Sequence, residues 1–515
     1  MNKKKMALNI LANLLSFASS IIVGLCITPH IVAKLGFESY SFIGIANEFA
    51  SYVTIVTSAL NSMAGRFISM EMHQGNEKKA KVYFNSVFVA DMVLGIAALL
   101  FGMAVTLNVE HLMKVPEALM VDVKITFSLV FINIIINLVT SVYSVAPFVT
   151  DNLQKSAVRG VFSNLIKIVL LIGLFAIFPA KIFFVTISII GTSIFLIITN
   201  FILTKKLLPD FKLNVRNFSF DAIKTLISSG MWNSLSTLSN MLLTGLAGFI
   251  TNNMVGVKEA GLLQVAKTVP INFSQLITTL AVIFTPRFVV LYAKGDIKAL
   301  LKDAKYAMKI LPFMMIVPIA GYLAFGMSFF RLWQYAANAE ELRTMQILSI
   351  FSMGANLLSI YVYPLTSINT TTNKLKWPVI TTFVTALLSI STVMILLNVT
   401  NFGVYVVNLV STIFTMTRLF FFVPMYSAHN LKLKLTTFYP TILRGLAAFG
   451  VVLVIFIAIH EKVSVYITNW FSLIVVAGIV GAMGYLVVFL ILFNKDEKKK
   501  VWNMIVGKVK GILKR

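Results

Sequence analysis

The chain has 515 residues, of which 58% are hydrophobic and 12% are charged. Soluble domains have about 45 to 50% apolar residues and roughly a quarter charged, so this composition, with a mean hydropathy of +0.88, excludes an ordinary soluble protein. The formal net charge of +25 would suit a nucleic-acid partner. It follows the predicted membrane topology instead, so we expect no binding to nucleic acid.

Fourteen apolar stretches of about 20 residues recur along the chain. Each is long enough to cross a hydrocarbon core of about 30 Å as a helix. The stretches are continuously apolar and lack the alternation of transmembrane strands, so they predict an all-α polytopic membrane protein. The predicted spans are 6–28, 41–63, 83–107, 125–146, 160–178, 182–204, 229–254, 262–285, 308–330, 345–367, 378–398, 403–426, 441–460 and 470–493.

The first twelve spans form two repeats that are offset by about 220 residues. The first carries NLLSFASS from Asn13 and RFISMEMHQGN from Arg66, and the second carries NSLSTLSN from Asn233 and RFVVLYAKGD from Arg287. Six crossings is an even number, so the repeats are parallel, as in many transporters. The predicted regions are a six-helix lobe at 1–204, a cytoplasmic linker at 205–228, a second six-helix lobe at 229–426, helices 13 and 14 at 427–493, and a basic amphipathic tail at 494–515.

Positive charge is concentrated on one side of this topology. The side that holds both termini and the even-numbered return loops collects 33 of the 44 Lys and Arg residues, counting those at helix ends, while the opposite loops hold 8. Cytoplasmic loops carry such an excess. We therefore expect both termini to be cytoplasmic.

The loops and the scattered Cys and His residues argue against catalysis and metal binding. No predicted outer loop exceeds about 20 residues or carries a nucleophile elbow, paired carboxylates or a nucleotide-binding loop. The single cysteine, Cys26, lies inside a span, and the five histidines have no ligand spacing. We predict a protein that is not an enzyme and that has no cofactor and no metal site.

Small polar residues follow one face of several predicted spans. Segments 1, 2 and 4 carry such stripes, and so do the equivalent segments 7, 8 and 10; segment 2 has Asn47, Ser51, Thr54, Ser58 and Asn61. One interpretation is packing between helices, where Ser, Thr and Asn are common. The symmetric placement of the six stripes favours a polar central cleft.

Five ionisable residues lie inside predicted spans, namely Glu48, Asp91, Lys167, Lys267 and Arg418. Each costs roughly 2.5 to 3.5 kcal/mol near the bilayer centre, so each calls for a partner, water or a ligand. Snorkelling or structural ion pairing is the alternative for each. Glu48 and Lys267 lie close to equivalent positions of the repeats. We expect them to pair across the lobe interface when the outer side is closed, and we expect Glu48 or Asp91 to act in gating or coupling.

Arginines end the second helix of each repeat on the predicted cytoplasmic side. These residues are Arg66 and Arg287. With Lys167 and Arg418 they would make the inner half of the cleft cationic, and guanidinium groups bind phosphate oxygens bidentately. Anchoring to lipid headgroups is the alternative for the two arginines.

Four further motifs are LGFESYSF at Leu35, GRF at Gly65, LLPDFK at Leu207 and SSGMWNSLS at Ser228. Together they resemble the multidrug/oligosaccharidyl-lipid/polysaccharide (MOP) exporter superfamily, and specifically its polysaccharide transporter branch. The family often has Gly where this chain has Ser41, a departure at the turn between segments 1 and 2. The resemblance implies two six-helix lobes around a central cavity, alternating access, and an apolar groove for a lipid tail at segments 13 and 14.

The resemblance also implies flipping of a polyprenyl-diphosphate-linked oligosaccharide, such as an O-antigen or capsule unit, across a bacterial inner membrane. The expected diphosphate contacts are Arg66, Lys167, Lys267, Arg287 and Arg418, and the expected sugar contacts are Asn13, Asn47 and Asn233. Expected partners are this substrate, membrane lipids, and glycan polymerases or glycosyltransferases. The alternatives are a cation-coupled multidrug exporter and, from another class, a membrane glycan polymerase.

Overall fold

The computed structural model describes residues 3–150, 152–494 and 497–498, without the side chains of 3–14, 56 and 153. Most of the predicted tail at 494–515 lies outside the described residues. The described part is helical and contains no strand. Its helices are α1 Lys3–His73, α2 Glu77–Leu107, α3 Val109–Leu112, α4 Met120–Thr140, α5 Ala146–Val149, α6 Leu153–Ile177, α7 Phe183–Leu207, α8 Phe220–Thr244, α9 Ala247–Met254, α10 Val257–Val282, α11 Thr285–Ala293, α12 Ile297–Trp333, α13 Ala339–Thr371, α14 Lys376–Val399, α15 Val404–Thr417, α16 Val423–Asn430, α17 Tyr439–Val463 and α18 Trp470–Leu492.

Helix α1 contains the first two predicted spans and the segment between them. It runs for 71 residues with one interruption, at Gly36, whose φ of 80° and ψ of 167° lie outside the helical region. A positive φ is a conformation that glycine adopts without the steric cost of a side chain. The predicted loop at 29–40 is therefore a kink between two helical arms.

Twelve helices of the described chain are long and apolar enough to cross a membrane. The count differs from the fourteen predicted spans for two reasons. Helix α1 is counted once, as Leu15–Ile55, although it contains two predicted spans. The predicted seventh span is divided between α8 and the short α9, and α8 is not among the twelve because its Ser, Thr and Asn residues lower its hydropathy. The all-α polytopic fold is confirmed.

The chain packs as two compact units. The first comprises the described part of Met1–Thr268 together with Val379–Val407, and the second comprises Val269–Pro378 and the described part of Asn408–Arg515. The first unit thus includes α8, α9 and the beginning of α10, which belong by sequence to the second repeat. The lobe boundaries drawn from the repeats remain a prediction.

Close contacts of glycines join α1 to α8 and α10 inside the first unit. A Cβ atom at Gly230 of α8 would lie 2.0 Å from the carbonyl oxygen of Ala59, and one at Gly261 of α10 would lie 2.0 Å from that of Phe37. Real Cβ atoms essentially never come so near to backbone oxygen. These helices therefore pack backbone against backbone, as small residues allow in membrane proteins.

Two turns at equivalent positions of the repeats have the same geometry. Gly75 and Gly295 have φ angles of 79° and 71°. In each turn the amide that follows the glycine, that of Asn76 or Asp296, donates to the carbonyl five residues earlier. This is the Schellman pattern that ends helices at a left-handed glycine. The structure therefore supports the sequence alignment of the repeats at this point.

The second unit has its core where α12 contacts α13, α17 and α18. Phe456 of α17 is fully buried there, and a Cβ atom at Gly484 of α18 would lie 2.5 Å from its ring. The beginning of the predicted tail is held on this unit, because Lys309 Nζ lies 2.7 Å from Glu497 Oε1 and Arg444 Nη1 donates to Asn494 Oδ1 at 2.7 Å. Helices α17 and α18 both pack on α12.

Glu71 closes the turn after α1 and gives a pH-dependent prediction. Its carboxylate, 2% exposed, accepts hydrogen bonds from Lys79 Nζ at 2.7 Å and Asn76 Nδ2 at 3.2 Å. The bond from Lys79 lowers the pKa of Glu71. Its stabilising contribution is therefore present above the ordinary glutamate pKa and is lost as the pH falls through the lower folded-state pKa.

We expect Glu71→Gln to lower the apparent Tm at neutral pH, measured by thermal unfolding in detergent. At about pH 3, below the ordinary glutamate pKa, the difference from the native protein should shrink. A difference that stays constant over this pH range would contradict a role for the ionised carboxylate.

Candidate functional site

Glu48 lies at the centre of a polar cluster in the first unit. Its carboxylate accepts a hydrogen bond from Gln264 Nε2 of α10 at 2.7 Å. It also accepts from the backbone amides of Gly248 and Phe249, each at 3.3 Å. These amides open α9, so the carboxylate caps a helix N-terminus, where negative charge is favoured. Glu48 on α1 therefore holds two elements of the second repeat.

The path of the chain at α8 and α9 makes this cap possible. The predicted seventh span is broken between Thr244 and Ala247, which leaves the first amides of α9 without partners in their own helix. A Cβ atom at Gly248 would lie 2.4 Å from Gln264 Nε2 and 2.8 Å from Glu48 Oε1. Glycine at this position is therefore needed for both side chains to approach. Broken helices line the sites of many transporters.

The other end of α9 is fixed to the loop that precedes α4. Asn252 Oδ1 accepts from the Lys114 amide at 3.0 Å, and its Nδ2 donates to the Lys114 carbonyl at 3.2 Å. Asn253 Nδ2 donates to the Leu112 carbonyl at 2.9 Å. Helix α9 is thus held at both ends by parts of the first repeat, on the predicted outer side.

Lys267, the partner predicted for Glu48 when the outer side is closed, lies close to Glu48 in this structure without bonding to it. Lys267 lies three residues after Gln264 on α10, within electrostatic range of Glu48. Among the described contacts, however, the hydrogen bonds to the carboxylate come from Gln264 and α9, and no Glu48–Lys267 ion pair occurs. Pairing of Glu48 with Lys267 when the outer side is closed stays a prediction, and so does the gating role of Glu48.

Removing the Glu48 carboxylate should loosen α9. We expect Glu48→Ala to speed amide hydrogen exchange in residues 247–254, because two of the amides lose their acceptor. A double-mutant cycle with Gln264→Ala should give a coupling energy of about 1 to 3 kcal/mol. Glu38→Ala, at an exposed carboxylate, is the control. Equal exchange in both variants would contradict the capping role.

Asp91 forms a second polar cluster in the same unit, deep between three helical elements. It is fully buried on α2 and accepts from Ser141 Oγ at 2.5 Å and Asn61 Nδ2 at 3.3 Å. Ser141 begins a 3-10 turn, Ser141–Ser144, that follows α4. A buried carboxylate needs such partners because its transfer from water is costly. Its role in coupling stays a prediction.

Ser141 provides a test of this cluster. We expect Ser141→Ala to destabilise the protein by about 1.5 to 3 kcal/mol, because a hydrogen bond to a buried acidic group is lost. The measurement is unfolding in a denaturant titration. Ser144→Ala is the matched control, since the exposed Ser144 hydroxyl donates only to a carbonyl of its own turn, that of Ser141, at 2.6 Å. An equal loss in both variants would refute the assignment.

The predicted cations of the first unit lie at different places. Lys167 of α6 is partly buried and has no ion pair among the described residues. It shares a helix face with Gly160 and Asn164, and Asn164 Nδ2 donates to Ser19 Oγ of α1 at 2.8 Å. Arg66 is exposed and lines a cavity of about 370 Å³ with His73 and Phe148. The structure therefore does not join Lys167 and Arg66 in one described contact.

Arg287 and Arg418 belong to the second unit and differ in their partners. Arg287 Nε donates to Asp303 Oδ2, so its charge is already neutralised on the protein surface. Arg418 opens a π-helical turn, Arg418–Phe422, and its Nε atom is buried without a hydrogen-bond partner in the described structure. Such turns occur often at functional sites. Arg418 is therefore the better candidate for an anionic ligand.

The predicted sugar-binding asparagines are largely engaged by the protein. Asn47 Nδ2 donates to the Ile43 carbonyl at 2.7 Å, and Asn233 Nδ2 donates to Ser62 Oγ at 3.1 Å. The side chain of Asn13 lies outside the described residues. Hydroxyls of the stripes likewise often donate to a carbonyl one turn earlier, as Ser51 does to Asn47. The oxygen acceptors of these groups remain for a ligand, and their role as sugar contacts stays a prediction.

Sequence reasoning missed the residues that hold α9. Gln264 was visible only as a member of a polar stripe, and Asn252 and Asn253 carried no signal beyond being an amide pair near a helix end. Their bonds join positions that are 138 to 216 residues apart. Such pairing requires the tertiary structure.

The whole chain was compared with known proteins. No family model matches the chain. An uncharacterized membrane protein, EpsK of Bacillus subtilis (strain 168), is 25% identical over 497 residues, which cover 96% of this chain and 97% of EpsK. This relative extends over almost the whole of both sequences.

Similarity to solved structures identifies the fold. The structure is similar to the inward-facing conformation of a multidrug resistance MATE family transporter of the MOP superfamily, with a TM-score of 0.67 and 14% identity, over 81% of this chain and 94% of that one. The chain has the fold of the MOP superfamily. The lipid II flippase MurJ, in an inward closed conformation, matches with a TM-score of 0.65 and 16% identity over 94% of this chain and 98% of MurJ. The match to MurJ thus extends over more of this chain than the match to the MATE transporter, and the fold is shared with both.

Proposed function

We propose that this protein is a flippase that moves a polyprenyl-diphosphate-linked oligosaccharide from the cytoplasmic to the outer leaflet of a bacterial inner membrane by alternating access. The MOP fold, shared with the lipid II flippase MurJ over 94% of the chain, supports a transporter of this kind. The O-antigen or capsule identity of the glycan, the cytoplasmic termini and the partnership with glycan-synthesising enzymes belong to the same proposal.

The observation that carries the proposal is that two cations inside predicted membrane spans have no anionic partner among the described residues. Lys167 and Arg418 form no ion pair among the described residues, whereas the exposed Arg287 does. A cation in a membrane span is costly unless something compensates its charge. A diphosphate group supplies that compensation, and Arg offers it several donors in a fixed geometry.

An apolar cavity in the second unit suits the lipid part of such a substrate. It has a volume of about 340 Å³ and is lined by residues of α12, α17 and α18, among them Gly321, Phe325, Phe456 and Val480. A hydrocarbon chain that lies in such a cavity gains van der Waals contacts with its apolar walls. This supports the expectation that helices 13 and 14 contribute to a lipid groove.

A proteoliposome assay tests the proposal. Purified protein is reconstituted with a fluorescent polyprenyl-diphosphate oligosaccharide, and its appearance in the opposite leaflet is followed with a membrane-impermeant quencher. We expect translocation that depends on the protein. An unlabelled diphosphate-linked oligosaccharide should inhibit it by competition, and a neutral glycolipid should not. No translocation above empty liposomes would reject the flippase.

A second candidate is a cation-coupled exporter of amphipathic drugs. The observation in its favour is Asp91, a fully buried carboxylate that has Ser141 and Asn61 but no basic residue as its described partners. In this reading Asp91 exchanges a proton or a sodium ion during transport. Efflux of a cationic dye driven by an imposed pH or sodium gradient, together with no movement of the glycolipid, would make this the better assignment. The glycan polymerase has no support from the geometry.

A further inference from the structure

A groove between α6 and α7 combines an apolar floor with three cations. It lies at the predicted cytoplasmic ends of these helices and has a volume of about 440 Å³. Val158 and Ile202, which are 51% and 58% exposed, present hydrocarbon surface, while Lys155, Arg159 and Lys206 bring the charge. Of the described lining residues, none is acidic.

Arg159 is built into the base of this groove. Its Nε donates to the Lys155 carbonyl at 2.9 Å, and its Nη1 donates to Asn200 Oδ1 of α7 at 2.7 Å. Its Nη2 is enclosed without a hydrogen-bond partner. The guanidinium is therefore a fixed positive charge between the helices, and neither of its described partners is an anion that would neutralise it.

The two lysines differ from Arg159 because their side chains are exposed and donate no described hydrogen bond. Lys155 and Lys206 are exposed, on opposite walls of the groove, and neither has a described ion pair. Lys205, the neighbour of Lys206, is turned to the Phe201 ring at 4.6 Å. Two exposed ammonium groups beside a fixed guanidinium can together bind one anionic group that enters from the membrane.

We propose that this groove is a binding site for an anionic phospholipid of the inner leaflet. The phosphate would lie between Lys155 and Lys206 above Arg159, and one acyl chain would lie along Val158 and Ile202. Basic pockets between membrane helices on the cytoplasmic side bind anionic headgroups by this combination. The site goes beyond the proposed function, because it is separate from the cations assigned to the transported substrate and its test does not depend on transport.

Native mass spectrometry of the detergent-purified full chain tests the site. The protein is titrated with phosphatidylglycerol, with phosphatidylcholine and with inorganic phosphate. We expect retention of phosphatidylglycerol above the other two. The double variant Lys155→Gln/Lys206→Gln should weaken this binding by about fivefold per lysine, or roughly 25-fold in all. Both side chains are exposed and the Arg159–Asn200 bond is kept, so the variant should fold.

A matched control separates this site from a general effect of charge. Lys212→Gln/Lys224→Gln removes two exposed lysines from the same predicted side outside the groove, and it should leave binding unchanged. An equal loss in both double variants would overturn the proposal in favour of unspecific attraction. Equal retention of phosphatidylcholine would overturn it, and so would saturation by inorganic phosphate that displaces the lipid.

Discussion

Gly230→Ala is expected to be among the most damaging single changes in this protein, although it adds only one methyl group. The new Cβ atom would lie 2.0 Å from the Ala59 carbonyl oxygen, an atom that belongs to the backbone of α1 and cannot rotate away. Helix α8 would have to move off α1, and the bond of Asn233 to Ser62 lies one turn away. Overpacking costs typically 1 to 3 kcal/mol, and contact with backbone places this site at the upper end.

The measurement is the apparent Tm in detergent, with Gly261→Ala as a second test at the Phe37 carbonyl. Gly173→Ala is the matched control, because a Cβ atom there has no neighbour within 4 Å. Since alanine favours helix over glycine by about 1 kcal/mol, the control should be neutral or stabilising. If Gly230→Ala and Gly261→Ala behave like Gly173→Ala, the close packing of α1 against α8 and α10 is wrong.

Arg418→Met is expected to lower substrate translocation by about tenfold to a hundredfold, which corresponds to the loss of one charge-assisted hydrogen bond to the diphosphate. The same change should leave the apparent Tm unchanged or raise it, because it removes a buried group whose Nε has no described partner. Lower activity without lower stability is typical of a residue kept for function.

The proteoliposome assay measures this prediction, with Arg287→Met as the control. Arg287 is exposed and already paired with Asp303, so its loss should reduce translocation by less than about threefold, as for an ordinary surface ion pair. Arg418→Lys should retain part of the activity, since lysine keeps the charge but loses the planar fork. A large drop in Tm for Arg418→Met would show that the arginine is structural.

The hydrogen bonds of α9 and the glycine contacts of α1 place different demands on the proposed transport cycle. Helix α9 is held at one end by Glu48 and at the other by the loop around Lys114, with hydrogen bonds between 2.9 and 3.3 Å. The bonds at the Lys114 end contribute about 1 kcal/mol each and those to the Glu48 carboxylate up to about 3 kcal/mol, so the attachment is reversible on the scale of a ligand-driven change. The Gly230 and Gly261 contacts are steric and admit no such partial release.

The membrane class and the helical content follow from the amino-acid sequence alone. These depend on local patterns, because a run of about 20 apolar residues spans a bilayer whatever its neighbours are. The paired turns at Gly75 and Gly295 were likewise readable, since a helix end at a left-handed glycine is a local structure. The cationic character of several spans was also visible as residue identity alone.

Which of these charges have partners depends on how the helices pack. Glu48 was expected to pair with Lys267 when the outer side is closed, whereas the hydrogen bonds described here come from Gln264 and from the first amides of α9. Arg287 finds Asp303 on another helix, whereas Arg418 does not find an acid among the described residues. A hydrogen bond depends on the rotation and depth of two helices to within a fraction of an ångström. Apolar periodicity fixes neither quantity, so the partners of the buried charges had to come from the packed structure.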